Sequence, residues 1–237
     1  MLGSMDRARV VIHASALAHQ VRWANALQAG LAAHGIAAQI SHSPDTEADM
    51  HIVQGPWFAL NRWRHHPRTL YLDRAHWGDP DCVSLHWLRD GEKVRTHGHP
   101  HRAHPVAAPW KSGRRLLILC DYGHDGAQEY ARCLPHFDAM TIRRHPAADS
   151  RRASLAEDLE NHDIAIGRRS TALIDAAIAG LPVITADTHS PVWPIASRIQ
   201  DIRTPDREPW LTDLAWHNWH IDEVIKGEAW AFLTVCC

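Results

Sequence analysis

Four short apolar runs decide the fold: Leu116-Leu117-Ile118-Leu119-Cys120, Ala139-Met140-Thr141-Ile142-Arg143, Ile164-Ala165-Ile166 and Val183-Ile184-Thr185-Ala186. Between them lie stretches with helical spacing, about Ala127 to Leu134, Leu155 to Asn161 and Thr171 to Ala179. Runs of this length suit buried strands, and strands that alternate with helices build a parallel sheet. The segment therefore reads as a βαβαβαβ unit. Because crossovers between parallel strands are right-handed, the loops leaving Cys120, Arg143 and Ile166 are expected on one edge of that sheet.

The same alternation precedes it. Val10-Val11-Ile12 is a β-branched run, followed by Leu17, Val21, Ala24, Leu27 and Leu31 at intervals of three and four up to Gly35. Further strands are expected at Ala37 to Ser41, His51 to Val53 and Thr69 to Leu72. From Gly91 to Gly113 the pattern dissolves into Gly, Pro, His and Arg, which marks a hairpin edge plus a linker and a boundary near Pro109. The expected organisation is an N-terminal Rossmann-like domain over 1–108, a second over 109–205 and a C-terminal helical segment over 206–237. Trp210, Trp216, Trp219 and Trp230 would pack one or two helices of that last segment onto a domain. The fold class is α/β, with two Rossmann-like domains facing a cleft and C-terminal helices.

Composition excludes several classes. With 237 residues, 45% hydrophobic and 22% charged, the chain has apolar material for one or two cores and is neither disordered nor fibrous. Its longest apolar stretches fall well short of the roughly 20 residues of a membrane helix. The opening Met1 to Met5 lacks the basic and apolar regions of a signal peptide, so a cytoplasmic protein is expected, without membrane insertion. Five scattered cysteines, with no metal-ligand spacing, read as reduced thiols, the Cys236-Cys237 pair as a frayed tail. A net charge of −2 removes global attraction to polyanions but leaves local basic sites open. Only Lys93, Lys111 and Lys226 are lysines; arginine is the better bidentate phosphate partner, though a GC-rich genome produces the same bias.

The expected chemistry lies at the carboxyl ends of the second domain's strands. Arg143-Arg144-His145-Pro146 follows one strand, and Gly167-Arg168-Arg169-Ser170-Thr171 joins the next strand to its helix. Open α/β sheets bind ligands outside those ends, where a helix N-terminus presents unpaired N–H groups and a positive dipole. A phosphate or diphosphate suits that position. Ser170 and Thr171 offer hydroxyl donors or an N-cap, His145 a donor on a loop stiffened by Pro146, and Arg143, Arg144, Arg168 and Arg169 a positive field. Each has a plainer alternative: a turn at His145-Pro146, a helix cap at Ser170, a solvated charged surface for the arginines.

Arg144-His145-Pro146, followed by Asp163-Ile164-Ala165-Ile166-Gly167-Arg168-Arg169-Ser170-Thr171 and Ala179-Gly180-Leu181-Pro182-Val183-Ile184, resembles the donor-binding half of GT-B glycosyltransferases. The nearest types are capsule, sialyl- and Kdo-transferases, and the match covers about a fifth of the chain. The resemblance implies that the His-Pro and Ser/Thr elements hold a nucleotide-sugar as co-substrate, with no cofactor. It extends to compact bacteriophage-encoded members, which implies a glycan or a hydroxymethylated DNA base as acceptor. Two departures stand out: the chain is short for the group, and the usual Ser/Thr motif reads Arg169-Ser170-Thr171, with Asp175 as the acidic group available to a sugar.

Transfer to a hydroxyl needs a base within about 3 Å of its proton, and Asp73, His76 and His13, at ends of first-domain strands, are the candidates. Trp57 and Trp77 are candidate stacking platforms beside Gly55-Pro56. Asp121 and Gly123, in Asp121-Tyr122-Gly123-His124-Asp125-Gly126, would hold the sugar or diphosphate. Helix dipoles and arginines can neutralise a diphosphate, so no metal is expected; His97, His99, His101 and His104 lack a neighbouring acid or cysteine and read as a loop. Two other readings remain: a nucleotide-sugar epimerase or hydrolase using Asp121, Asp125 and Asp187, and a non-catalytic nucleotide-binding module.

Overall fold

The computed structural model describes residues 8–55, 59–78, 81–95, 102–146, 148 and 154–235. Met1 to Met5, Pro56, Trp57, His97, His99, His101, Cys236 and Cys237 lie outside the described residues. Chain contacts group residues 1–103 with 212–237 as one unit, and 104–211 as another.

In the first unit the β-branched run forms β1 (Val10–His13), and the apolar stripe of α1 (Ala18–Ala32) lays Trp23, Ala24, Leu27 and Leu31 on the sheet. The chain continues through β2 (Ala38–Ser41), β3 (Met50–Gln54), α2 (Leu60–Trp63) and β4 (Thr69–Arg74). These four strands are parallel. Next come β5 (Cys82–Arg89), antiparallel to β4, and β6 (Glu92–Lys93), antiparallel to β5. The β5–β6 hairpin turns on Asp90-Gly91, both with positive φ (53° and 80°), the pair favoured in two-residue turns. The hairpin thus lies at the very start of the irregular stretch; residues 102–112 form no regular element.

The second unit contains β7 (Arg115–Leu119), α3 (Ala127–Cys133), β8 (Ala139–Arg143), α4 (Leu155–Asn161), β9 (Ile164–Gly167), α5 (Ala172–Ile178) and β10 (Val183–Ile184). Its four strands are parallel, in the order β10-β9-β7-β8. Leu116, Ile118, Ile164, Ile166 and Ile184 form a buried cluster with Cys133 and Phe137. Helix α4 is closed at both ends: Ser154 and Glu157 make a reciprocal capping box, and the Lys111 ammonium donates to the carbonyls of Leu159, Glu160 and His162. A 3₁₀ turn follows at Trp193–Ile195.

The chain closes with α6 (Glu208–Ala215), β11 (Asn218–His220), α7 (Ile221–Ile225) and α8 (Glu228–Val235). Where one or two helices were expected there are three and a strand. β11 pairs antiparallel with β5, giving the first sheet the order β11-β5-β4-β3-β1-β2, with β6 on the far end of β5. Val224, Trp230 and Leu233 join α1 on the apolar face made by Ile12, Ile52, Leu70 and Leu85. Among the described residues no helix is long and apolar enough to cross a membrane.

Candidate functional site

The strand order creates the site of the second unit. From β7 the chain steps to β8 on one side and then to β9 on the other, so the loops after β7 and β9 diverge and leave a crevice at the carboxyl edge. Gly167 ends β9 here. A Cβ on it would lie 2.7 Å from the Leu119 carbonyl oxygen, so a side chain at this position would push the two central strands apart.

Charged groups from three loops fill the edge. The Asp121 carboxylate accepts the Arg169 backbone N–H at 3.1 Å, and the Arg169 Nε donates to the Asp187 carboxylate at 2.7 Å, which ties Arg169 between two acids. Burial raises the Asp187 pKa, but the bonds from Arg169 and the His189 N–H outweigh it and hold the carboxyl below its ordinary value. The second Asp121 oxygen, Oδ1, is buried with no partner among the described residues. The exposed Arg168 has a guanidinium nitrogen 3.1 Å from His124 Nε2, and its carbonyl accepts from the Thr185 hydroxyl. Asp125 is engaged locally, accepting the Ala127 N–H.

The residues resembling the transferase motif come together on this edge, because β8, β7 and β9 are neighbours. His145 follows β8, in a turn closed by the Ala148 N–H on the His145 carbonyl, and its ring meets Tyr122 of the next loop edge-on at 5.5 Å. Arg144, Pro146 and Gly123 are exposed beside them. Arg143 is not part of a free positive field: its guanidinium pairs with Asp158 at 2.5 Å, both side chains about 15% exposed. Arg144 has no carboxylate within ion-pair distance among the described residues. At the start of α5, Thr171 has helical dihedrals (φ −63°, ψ −24°) and no side chain caps the helix. The Ser170 and Thr171 hydroxyls bond no protein group among the described residues, and Asp175 lies in the helix's first turn.

A cavity of about 1130 Å³ opens beside this edge, between α3 and the 193–203 segment, and reaches Gly167, Arg168, Thr185 and Asp187. His145, Ser170 and Thr171 do not line it. Its other basic residues, Arg132, His136, Arg198 and Arg203, escaped the sequence reading. One sequence signal was present: His124, Gln128, Arg132 and His136 recur every four residues, the spacing of one helix face.

The base candidates of the first unit have different surroundings. His13 is fully buried, its Nε2 3.0 Å from His51 Nδ1 and its Nδ1 3.2 Å from the Ser43 carbonyl, and burial lowers its pKa. His76 is 7% exposed, neither ring nitrogen has a partner among the described residues, and burial pulls its pKa well down. Its backbone N–H donates to the Asn218 side chain at 2.8 Å, beside half-buried Trp77. Asp73 is half-buried and accepts the Tyr71 hydroxyl at 2.7 Å; burial, then the Asp73 charge, raises the Tyr71 pKa, so the phenol stays a donor. Among the described residues no group of three His, Cys, Asp or Glu is arranged to hold a metal.

No family model matches the sequence, and no curated protein matches it. Among solved structures, the beta Kdo 2,7 transferase of Thermosulfurimonas dismutans KpsC superimposes with a TM-score of 0.54 at 10% identity, over 95% of this chain and 99% of that one. The beta Kdo 2,4 transferase of the same KpsC gives 0.48 at 11% identity, over 91% and 98%. The chain therefore has the α/β fold of a Kdo glycosyltransferase structure along nearly its whole length.

Proposed function

We propose that this protein transfers a sugar from a nucleotide-sugar donor to a hydroxyl acceptor. The observation that carries the reading is the fold shared over 95% of the chain with a β-Kdo transferase. The free hydroxyls and cations on one sheet edge support it. In this reading the second unit holds the donor. Ser170, Thr171 and the uncapped start of α5 receive the phosphate, His145 the nucleotide, and Arg144 and Arg168 stabilise charge on the leaving phosphate. A metal-independent, GT-B-type reaction follows, because helix dipole and guanidinium groups supply the positive charge.

The acceptor half is assigned to the first unit, with Asp73 as the base. Of the three candidates it has the most solvent access, whereas His13 and His76 are 0% and 7% exposed. The acceptor is a glycan hydroxyl or a hydroxymethylated base. Calorimetric titration of CMP, UDP, GDP and TDP into the wild type and into His145→Ala tests the donor half. One nucleotide is expected to bind and to lose affinity in the variant; no binding of any nucleotide overturns the reading. Asp73→Asn is expected to keep nucleotide affinity and lose transfer.

A further inference from the structure

The two edges of the second sheet are finished differently. At one edge β10 is two residues long and the chain returns over it: Ile184 bridges Ser197, whose N–H donates to the Val183 carbonyl at 2.7 Å. At the other edge β8 has five residues and pairs with β7 alone among the described strands. The Arg143 carbonyl accepts the Cys120 N–H, with Leu119 and Arg143 in register, so Ala139, Thr141 and Arg143 turn their backbone groups to β7. Alternate residues of a parallel ladder face opposite ways. Met140 and Ile142 therefore point their N–H and C=O groups out of the sheet, where no strand among the described residues receives them.

Open edges are usually blunted by lysine, proline, a bulge or an inward charge. Ala139, Met140, Thr141 and Ile142 supply none of these, and the last three are half-buried. The charge within β8, on Arg143, is neutralised by Asp158. The charges flanking the strand have opposite signs: Asp138 before it, exposed and 3.3 Å from the exposed Arg114, and Arg144 after it, with no carboxylate within ion-pair distance among the described residues. A strand so built matches its own reverse. In an antiparallel pairing centred on Thr141, Met140 exchanges both backbone hydrogen bonds with the partner's Ile142, and Asp138 meets the partner's Arg144 at either end. An in-register parallel pairing would set Asp138 against Asp138 and Arg144 against Arg144. An unrelated strand would satisfy the backbone but not the reversed charges.

We propose that β8 pairs antiparallel with β8 of a second copy of this chain, about a two-fold axis at Thr141, so that one sheet runs through the dimer. A guanidinium has five N–H donors, so Arg144 keeps donors for a phosphate when it pairs with one carboxylate. Sedimentation velocity of the full chain over a dilution series, without nucleotide, tests the pairing apart from the donor reading. Self-association is expected with a Kd on the order of 10 µM, weakening as salt rises. Asp138→Arg and Arg144→Asp should each raise that Kd about tenfold, and the two together should restore it. Thr141→Lys sets like charges across the axis and should leave monomers, with far-UV circular dichroism unchanged because the side chain is half-exposed. Thr141→Cys should oxidise to a dimer joined at residue 141, since directly opposed residues of a non-hydrogen-bonded pair lie about 4.5 Å apart at Cα, within disulfide reach; Ala139→Cys should not. A monomer throughout the series, an undiminished dimer in Thr141→Lys, no rescue by the double reversal, or linkage at 139 rather than 141 overturns the proposal.

Discussion

The two sheets of this protein arise from the same alternation of strand and helix, yet they treat their polar side chains in opposite ways. On the face of the first sheet away from α1, His13 bonds His51, the His86 and His217 rings stack at 4.1 Å, and the His217 Nδ1–H donates to the Leu85 carbonyl. His76 and His86 have no ring partner for hydrogen bonding among the described residues. At the carboxyl edge of the second sheet, Arg144, Arg168 and Thr171 are exposed and Ser170 half-exposed. Burial keeps titratable groups neutral and packs them against each other; exposure keeps charges and hydroxyls available to a ligand. In the reading proposed above, the first set serves the structure and the second set binds.

Acid should break it most strongly. Burial holds His51 and His217 down to about 4 and pulls His76 and His86 well below 6.5, whereas unfolded histidine titrates near 6.5. The unfolded chain therefore binds more protons below pH 6.5. Stability is complete above that value and falls toward pH 4, at about 1.4 kcal/mol for each such group and pH unit. Asp187, held below its ordinary 3.8, gives stability that persists to lower pH. Peptide-resolved hydrogen exchange at pH 7 and pH 5, corrected for intrinsic rates, should show protection falling by several kcal/mol in β3 and β5 and far less in β7 and β9. Equal losses in both sheets would remove the distinction.

The next effect concerns an edge residue that behaves like the buried set. Arg143→Ala leaves the Asp158 carboxylate largely buried and unpaired, and should cost about 2–3 kcal/mol in urea unfolding while leaving nucleotide affinity unchanged. Ser170→Ala combined with Thr171→Ala should do the reverse. Neither hydroxyl caps α5, so melting should not move, while nucleotide affinity falls about tenfold by calorimetry. The smallest effect is expected for His86→Phe, which replaces two unpartnered ring nitrogens with an apolar ring. Its stability at pH 7 should change by less than about 1 kcal/mol, and its loss on acidification should shrink.

The local elements were legible because their signals are local. Runs of three to five residues located β1, β3, β4, β7 and β9, and three-four spacing located α1, α4 and α5. The strand β5 was missed because Cys82-Val83-Ser84-Leu85-His86-Trp87 reads as a mixed, histidine-bearing stretch; its faces make sense only once Leu85 meets the apolar core and His86 the histidine side. β11 was missed for a related reason. Asn218-Trp219-His220 is three residues long and is a strand only because residues Cys82 to Ser84, far away in the chain, offer a partner. At the site, the order of strand ends foretold that Arg144, His145, Ser170 and Thr171 share one edge. That Arg143 is spent on Asp158, and that Arg132, Trp193 and Arg198 line one cavity, could not be read from spacing.

Alternation of apolar runs with amphipathic helices is enough, by itself, to determine an α/β protein with parallel strands, and crossover handedness then places the basic and hydroxyl-bearing loops on one edge. Those are consequences of backbone hydrogen bonding and chain chirality, which act over a few residues or one crossover. Only the tertiary structure decided which charges are neutralised and which polar groups are enclosed. An ion pair, a buried imidazole or a short edge strand depends on separate segments arriving within a few ångströms, as Arg143 and Asp158, His13 and His51, and Asn218 and Ser84 do here.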